Sequence, residues 1–374
     1  MPCLNEAETL AACIRKARAA IASMGLPGEV LIADNGSSDG SQAIAIAEGA
    51  RLLPVPLRGY GAALIAGIQV AEGEFILMAD ADDSYEFPHL PRFIAALQEG
   101  HDLVMGNRFL GGVLPGAMPP LHRYLGNPVL SFIGRLFFNV PIGDFHCGIR
   151  AFRTSAIRSL NLRSTGMEFA SEMVVKAALA NLSITEVPTI LKPDGRSRRP
   201  HLRTWHDGWR HLRFLCLFSP RWLFFYPGVT MTLLGLLLSA WLLPGTRQVG
   251  RVSFDVDSLT YAMGLLLIGV NITVFAVSAK LFGTRQGFLP PNPRFERILD
   301  GVSLELGLLG GVLLLAVGLG LFAYAVLQWH AVGFGELTAQ RMLRLTLPSA
   351  GCLMLGVEVI FASFFLGLLR IHSR

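Results

Sequence analysis

Four stretches of this chain, about 222–243, 259–280, 306–327 and 346–369, carry almost no charge. Each is long enough as a helix to cross the roughly 30 Å of bilayer hydrocarbon. Backbone polar groups find no water in lipid, so such stretches are restricted to helices that satisfy their own hydrogen bonds. Residues 222–374 therefore read as a transmembrane domain of four helices. The composition agrees, since 52% of the 374 residues are hydrophobic and only 16% are charged. The formal charge of +5 gathers beside the apolar stretches: Arg210, Arg213 and Arg221 precede the first, Lys280, Arg285, Arg294 and Arg297 surround the second loop, and Arg370 follows the fourth. This favours a membrane surface over nucleic acid as the anionic partner. It also sets both termini on the cytoplasmic side, as for an integral protein of a bacterial inner membrane. Gly307, Gly310, Gly311, Gly318 and Gly320 allow close helix contact in the third span. Glu358 is the one formal charge deep in a span, either functional or a buried hydrogen-bonder.

Residues 1–200 have the opposite character, with short apolar runs alternating with amphipathic stretches. "EVLIAD" (29–34), "EFILMAD" (74–80) and "DLVMG" (102–106) read as buried strands, and 6–23, 40–49, 61–71 and 88–99 as helices. That alternation predicts an α/β domain with a mainly parallel sheet and helices on both faces. Ligands of such sheets bind outside the carboxyl ends of the strands, where Asp34 and Asp80 stand. Residues 201–221 read as an amphipathic helix in the headgroup layer, with Trp205, Trp209, Leu212 and Cys216 on one face and Arg203, Arg210 and Arg213 on another. His201, His206 and His211, five apart, do not share a helical face and read as interfacial. Cys3, Cys13, Cys147, Cys216 and Cys352 are odd in number and widely spaced, which excludes a disulfide framework or zinc site as the organising element. His146 beside Cys147 reads as structural, because adjacent side chains point apart. Oligomeric state is not fixed by the sequence, and a homo-oligomer is compatible with it.

The segment "FILMADADDSYEF" (75–87) ends an apolar strand with a cluster of carboxylates. Asp80 and Asp82, one residue apart at the strand's end, present hard oxygen ligands that suit Mg²⁺ or Mn²⁺ completed by substrate phosphates and water. An acidic turn capping the next helix is the structural alternative. The glycines of "RGYGAALIAG" do not form the dinucleotide pattern, so no nicotinamide cofactor is indicated.

"MPCLNEAETL" at the start, "IADNGSSDGS" (32–41), "RGYGAALIAGI" (58–68), "MADADDS" (78–84) and "GNR" (106–108) follow in order. This set resembles the nucleotide-sugar domain of family 2 glycosyltransferases, whose fold is GT-A. "DFHCGIRAF" (144–152), "GMEFASEM" (166–173) and the membrane tail resemble the polyprenyl-phosphate branch, similar to dolichyl-phosphate mannose synthase. The resemblance implies a GT-A domain over 1–200, the interfacial helix at 201–221 and the membrane domain at 222–374. It implies that Pro2, Leu4, Asn5 and Glu6 line the base and ribose pocket, with Asp34 facing the nucleobase and Arg58 and Gly59 beside it. Asp80 and Asp82 match the metal motif, and Ser84 stands where some relatives place a third polar ligand. Arg108 and Arg123 match basic positions near the reacting phosphates, and Asp144 and Arg150 match the acceptor side. Arg196, Arg198 and Arg199 match a basic loop that closes over the site.

The implied reaction is inverting transfer of one hexose from a UDP- or GDP-sugar to polyprenyl (undecaprenyl or dolichyl) phosphate on the cytoplasmic leaflet. Such an acceptor is already anionic, so catalysis rests on alignment and charge neutralisation more than on a base. Asp82, Arg108 and Asp144 are the expected catalytic residues; Asp144 either acts as a base or orients Arg150 or the acceptor. Two alternatives stand beside this reading. One is action on a preformed glycolipid or growing polysaccharide, disfavoured because "FSPRW" (218–222) has Phe218 where processive relatives carry Gln. The other is a catalytically idle binding domain. Relatives place an apolar strand before the first motif, whereas Met1 opens directly on it here, so a weakened base pocket is expected.

Overall fold

The computed structural model describes residues 1–197, 204–287, 289–301 and 303–371. Two compact units divide the chain, Met1–Phe218 and Ser219–Arg374. The first runs β1 (Pro2–Cys3), α1 (Leu10–Ser23), β2 (Leu31–Asp34), α2 (Ser41–Ala47), β3 (Arg51–Pro54), α3 (Tyr60–Val70), β4 (Phe75–Met78), α4 (Leu90–Gln98) and β5 (Leu103–Asn107). It continues through the single turn α5 (Arg108–Gly111), α6 (Asn127–Phe138), β6 (Arg150–Arg153), α7 (Thr154–Ser159), α8 (Phe169–Leu179), β7 (Ile184–Pro188) and α9 (Thr204–Leu217).

β1, β2 and β3 pair in parallel, with Cys3 opposite Asp34 and Asp34 opposite Pro54. β1 is two residues long, yet the Met1 carbonyl still accepts from Ala33 N–H at 2.9 Å. The other strands run β4-β6-β5-β7, with β7 parallel to β5 and β6 antiparallel to both neighbours. β6 is reached from β5 by a long excursion, not by a single helix, so the direction rule for βαβ crossovers does not apply to it. Side chains alternate across β5: Leu103 and Met105 join Phe145, Phe152 and Phe169 in one core, while Val104 joins Leu10, Ile14 and Phe93 in the other. Burial on both faces explains why that strand reads as one apolar run.

α9 belongs to this first unit. Its Phe214 and Leu215 pack with Val175 of α8 and against Leu130 and Ile133 of α6, while Trp205 and Trp209 on another face stay 76% and 61% exposed. His211 corrects the sequence reading, because it is buried against His146 rather than interfacial, with ring centroids 4.5 Å apart. The Ser171 hydroxyl bridges the two rings, 2.8 Å from His211 Nδ1 and 3.2 Å from His146 Nε2. His201 and Arg203 lie outside the described residues.

The second unit contains α10 (Tyr226–Leu242), the hairpin β8 (Arg247–Val249) and β9 (Val252–Phe254), then α11 (Val256–Arg285), α12 (Pro293–Asp300), α13 (Leu304–His330) and α14 (Ala339–Ile371). Among the described residues, four segments are long and apolar enough to cross a membrane: Arg221–Leu242, Val256–Arg285, Leu304–His330 and Ala339–Ile371. Small residues set their contacts. A Cβ on Gly235 would fall 2.4 Å from Leu266 N, and one on Gly318 would fall 2.8 Å from Leu353 Cγ. Ser349 Oγ donates to the Gly318 carbonyl at 2.8 Å. Of the glycines expected at the third-span contact, Gly307, Gly311 and Gly318 meet α14, whereas Gly310 and Gly320 face open space. Glu358 of α14 lies beside the Asn271 side chain of α11.

Candidate active site

The first wall of the site is made by the turns after β1 and β2. Asn5 takes a left-handed conformation, φ 58°, which asparagine tolerates better than most residues. That turn puts Asn5 N–H on Ser37 Oγ and its side-chain oxygen on Ser38 N–H, both at 2.8 Å. Asp34, at the end of β2, is buried, and its Oδ2 accepts from Gly36 N–H, Ser37 N–H and Gln42 Nε2 at 3.2, 3.1 and 2.6 Å. Burial works against its charge, but the Ser37 and Gln42 side chains and these N–H groups outweigh it and hold the carboxyl below its ordinary pKa. Asn35 fixes the neighbouring loop, donating to the Val55 and Leu57 carbonyls and accepting from Gly59 N–H at 2.6 Å. Gly59 has φ 137°, and a Cβ there would fall 2.1 Å from the Thr165 carbonyl, so only glycine fits.

The second wall is the end of β4. Asp80 accepts from the Tyr60 hydroxyl at 3.0 Å. Burial first, and the Asp82 charge second, push its pKa up to about 6, against opposing pulls from Tyr60, Arg196 and Arg108. Asp82 Oδ1 accepts from Ser84 N–H at 3.1 Å and Ser84 Oγ at 2.6 Å. Ser84 thus orients Asp82, and its proton is committed to that carboxylate.

Arg196 joins these walls. Its guanidinium donates to Glu6 Oε1 at 3.1 Å, to Asp82 Oδ2 at 2.9 Å and to Asp194 Oδ2 at 2.9 Å. Burial opposes its charge, and Asp82, Asp194 and Glu6 outweigh burial and raise its pKa. The next residue, Ser197, is tied to the Glu8 carboxylate through N–H and Oγ. A cavity of about 300 Å³ opens here, lined by Asn5, Glu6, Glu8, Ser38, Asp39 and Arg196.

The third part lies after β5. Arg108 is buried and grips Asp144 through two bonds, Nε to Oδ2 at 2.7 Å and Nη2 to Oδ1 at 2.8 Å. This planar fork is the strong form of an ion pair. Burial disfavours the Arg108 charge, but Asp144 more than restores it and raises its pKa. Glu186 of β7, unnoticed in the sequence, accepts from Gly143 N–H at 2.8 Å, Asp144 N–H at 3.0 Å and Asn107 Nδ2 at 3.0 Å. It holds the Asp144 loop against β5. Nothing but a lone acid in an otherwise strand-like "ITEVP" pointed to it.

The expected residues are therefore not all brought together. Glu6, Asp80, Asp82, Arg108 and Arg196 share one charge cluster. Arg150 corrects the expectation of an acceptor-side group: it is fully buried, and its donors go to the Cys147, Ala170 and Phe145 carbonyls at 2.9, 2.7 and 3.1 Å. A guanidinium so enclosed holds the fold rather than a ligand. Arg123 lies on the turn before α6 with its guanidinium 5.5 Å from the Tyr124 ring centroid, beside His122, whose pKa burial and the Arg108 charge depress. Arg58 is exposed beside the Gly59 loop, and Pro2 and Leu4 are half-buried. Arg198 and Arg199 lie outside the described residues.

Comparison with known proteins gives the site its family. Residues 1–160 match the model "Glycosyl transferase family 2", and residues 277–370 match "Glycosyltransferase family 2 C-terminal transmembrane region". The low-salt glycan biosynthesis hexosyltransferase Agl6 of Haloferax volcanii is 33% identical over 369 residues, 98% of this chain and 87% of that protein. A dolichyl-phosphate hexose transferase of the same organism is 30% identical over 161 residues, 43% of this chain and 68% of that protein. Among solved structures, glucosyl-3-phosphoglycerate synthase of Mycobacterium tuberculosis has a TM-score of 0.46 at 21% identity, covering 57% of this chain and 76% of that one. With its α/β domain and four apolar helices, the chain is a membrane protein that belongs to glycosyltransferase family 2.

Proposed function

We propose that this enzyme transfers a single hexose from a nucleoside diphosphate sugar to a polyprenyl phosphate at the cytoplasmic leaflet, inverting the anomeric centre. The observation that carries the reading is the meeting of Asp80, Asp82, Glu6 and Arg196 beside a cavity of about 300 Å³ at the carboxyl ends of the strands. The name of the dolichyl-phosphate hexose transferase relative supports the acceptor class.

The carboxylates fit a hard divalent cation. Burial and mutual repulsion raise Asp80, and the Arg196 guanidinium already stands as a cation on Asp82 Oδ2. Among the described residues no group of three or more His, Cys, Asp or Glu side chains is placed to hold a metal. Asp80 and Asp82 would thus hold Mg²⁺ or Mn²⁺ together with substrate oxygens and water. When bound, that ion supplies Lewis-acid stabilisation of the charge developing on the leaving nucleoside diphosphate.

The chain's own residues do the rest. Ser84 fixes the Asp82 carboxylate, and Tyr60 fixes that of Asp80. Arg196, poised among carboxylates, supplies fixed donors for phosphate oxygens. Arg108 is locked in orientation by Asp144 and through it by Glu186, which supports a role for it in neutralising the reacting phosphates. As the phosphate oxygen of the acceptor bonds to the anomeric carbon, the bond to the donor diphosphate breaks on the opposite face. An acceptor already ionised gives up no proton, so Asp144 serves by holding Arg108 rather than as a base.

The test is transfer by the detergent-purified chain, with Mg²⁺ or Mn²⁺ and a panel of radiolabelled nucleotide sugars, to undecaprenyl or dolichyl phosphate. The expected result is a metal-dependent product that extracts into organic solvent. A product formed only on preformed glycolipid would overturn the acceptor class.

A further inference from the structure

We infer that Arg210 and Glu168 are positioning residues, whose ion pair ties helix α9 through the 163–168 loop and Tyr60 to the carboxylate of Asp80. The inference rests on the reading of Asp80 as a metal-holding group and extends it to two residues outside the site.

The loop is pinned at both ends. Glu172 of α8 accepts from Arg163 N–H at 3.0 Å and from Ser164 N–H at 2.7 Å. At the other end Arg210 Nη2 donates to Glu168 Oε1 at 2.8 Å, while Glu168 Oε2 is buried with no hydrogen-bond partner. Gly166 makes room for that pair, because a Cβ there would collide with both Arg210 Nη2 and Glu168 Oε2. The guanidinium therefore lies directly against the loop backbone. α9 presents it from a fixed base, since Phe214 and Leu215 pack with Val175, and the Ser171 hydroxyl meets His211 Nδ1 at 2.8 Å.

Between the pins the loop seats the start of α3. No side chain caps that helix at Gly59, and the Thr165 carbonyl accepts from Ala62 N–H at 3.1 Å, one of the first-turn donors that a helix cannot satisfy itself. The contact leaves no slack: a Cβ on Gly59 would strike the Thr165 carbonyl, and one on Gly61 the Ser164 carbonyl. Tyr60 stands between those two glycines, and its hydroxyl donates to Asp80 Oδ1 at 3.0 Å. A shift of the loop is thus a shift of Tyr60, and so of the Asp80 carboxylate. An exposed ion pair could not exert this control. The Glu168 side chain is only 17% exposed, so loss of Arg210 leaves its carboxylate enclosed without a cation, and regaining water means moving the loop.

The experiment is equilibrium binding of Mn²⁺ to the full chain in detergent, read from the paramagnetic resonance signal of the free ion. Glu168→Gln and Arg210→Gln are each expected to weaken binding roughly three- to thirtyfold, the range for coupling between positions joined by packed contacts. Tyr60→Phe should weaken it as well, and adding Glu168→Gln to that variant should cost little more, because both cut the same chain of contacts. If the neutral variants do not melt cooperatively, Glu168→Asp, which keeps the charge but shortens the reach, is read instead and should move affinity the same way. Wild-type Mn²⁺ affinity in the folded variants, or losses that multiply in the double variant, overturn the positioning role and leave the transferase reading standing. Failure of the unaltered chain to bind Mn²⁺ takes down the metal reading and the positioning role together.

Discussion

Arg150 and Arg196 are both held tightly in the catalytic domain, yet they are held by opposite kinds of partner. Arg150 is enclosed at the start of β6 and bonds three neutral backbone carbonyls. Arg196 bonds three carboxylates, from Glu6, Asp82 and Asp194, on three different segments. Carbonyls have no other cation to turn to, so Arg150 is built into the framework. Carboxylates at a cavity edge exchange one cation for another, so Arg196 is built to respond to what binds. Charge type alone does not separate a working arginine from a structural one; the charge of its partners does.

The comparison can be broken from either side. Asp82→Ala removes the carboxylate shared by Arg196 and the divalent ion, and transfer should fall on the order of a thousandfold while the protein still inserts and unfolds cooperatively. Near-normal turnover of that variant would remove the metal hypothesis. Arg150→Met should act on folding instead, because three buried carbonyls lose their donor, at a cost of roughly 4 kcal/mol or more. A variant that keeps the thermal midpoint but loses activity would put Arg150 back among the ligand-binding groups. Arg196→Ala should lower transfer roughly ten- to a hundredfold with little loss of stability, most of it read in the donor KM.

A further effect concerns pH. His211 is held down to about 4 by burial, so between that value and the ordinary histidine range of about 6.5 the unfolded chain binds a proton that the folded domain refuses. His146, depressed by burial and by its neighbour His211, acts in the same direction. Stability should be fully present above about pH 6.5 and fall as the pH drops toward 4, by up to about 1.4 kcal/mol per pH unit for each group. Thermal melts across that range check the slope, and His211→Gln should flatten it.

How far this was readable in the sequence follows from the same distinction. The GT-A sheet was legible where an apolar run ends in an acid, so β2 with Asp34 and β4 with Asp80 stood out. β6 was not, because "RAFR" begins with a buried arginine that looks like a solvent-facing end. The carboxylates of the site were legible by their spacing after a strand. Glu186, Tyr60 and the His146–Ser171–His211 contact were not, because each acquires its meaning from a partner 20 or more residues away. Sequence shows which groups carry charge or hydrogen-bonding capacity, and tertiary packing decides where that capacity is used.

Gly148 shows how far this dependence on partners can go. A Cβ at that position would sit 2.2 Å from Asp80 Oδ2 and 3.0 Å from the Tyr85 hydroxyl, to which the glycine's own N–H donates at 2.8 Å. The position of the Asp80 carboxylate is thus defined by an atom that is missing across from it. In a survey of every single substitution, residue 148 would score like a member of the reaction machinery, although it offers the substrate no group at all. Redesign of this site for another donor has to begin by leaving that methyl-sized space alone.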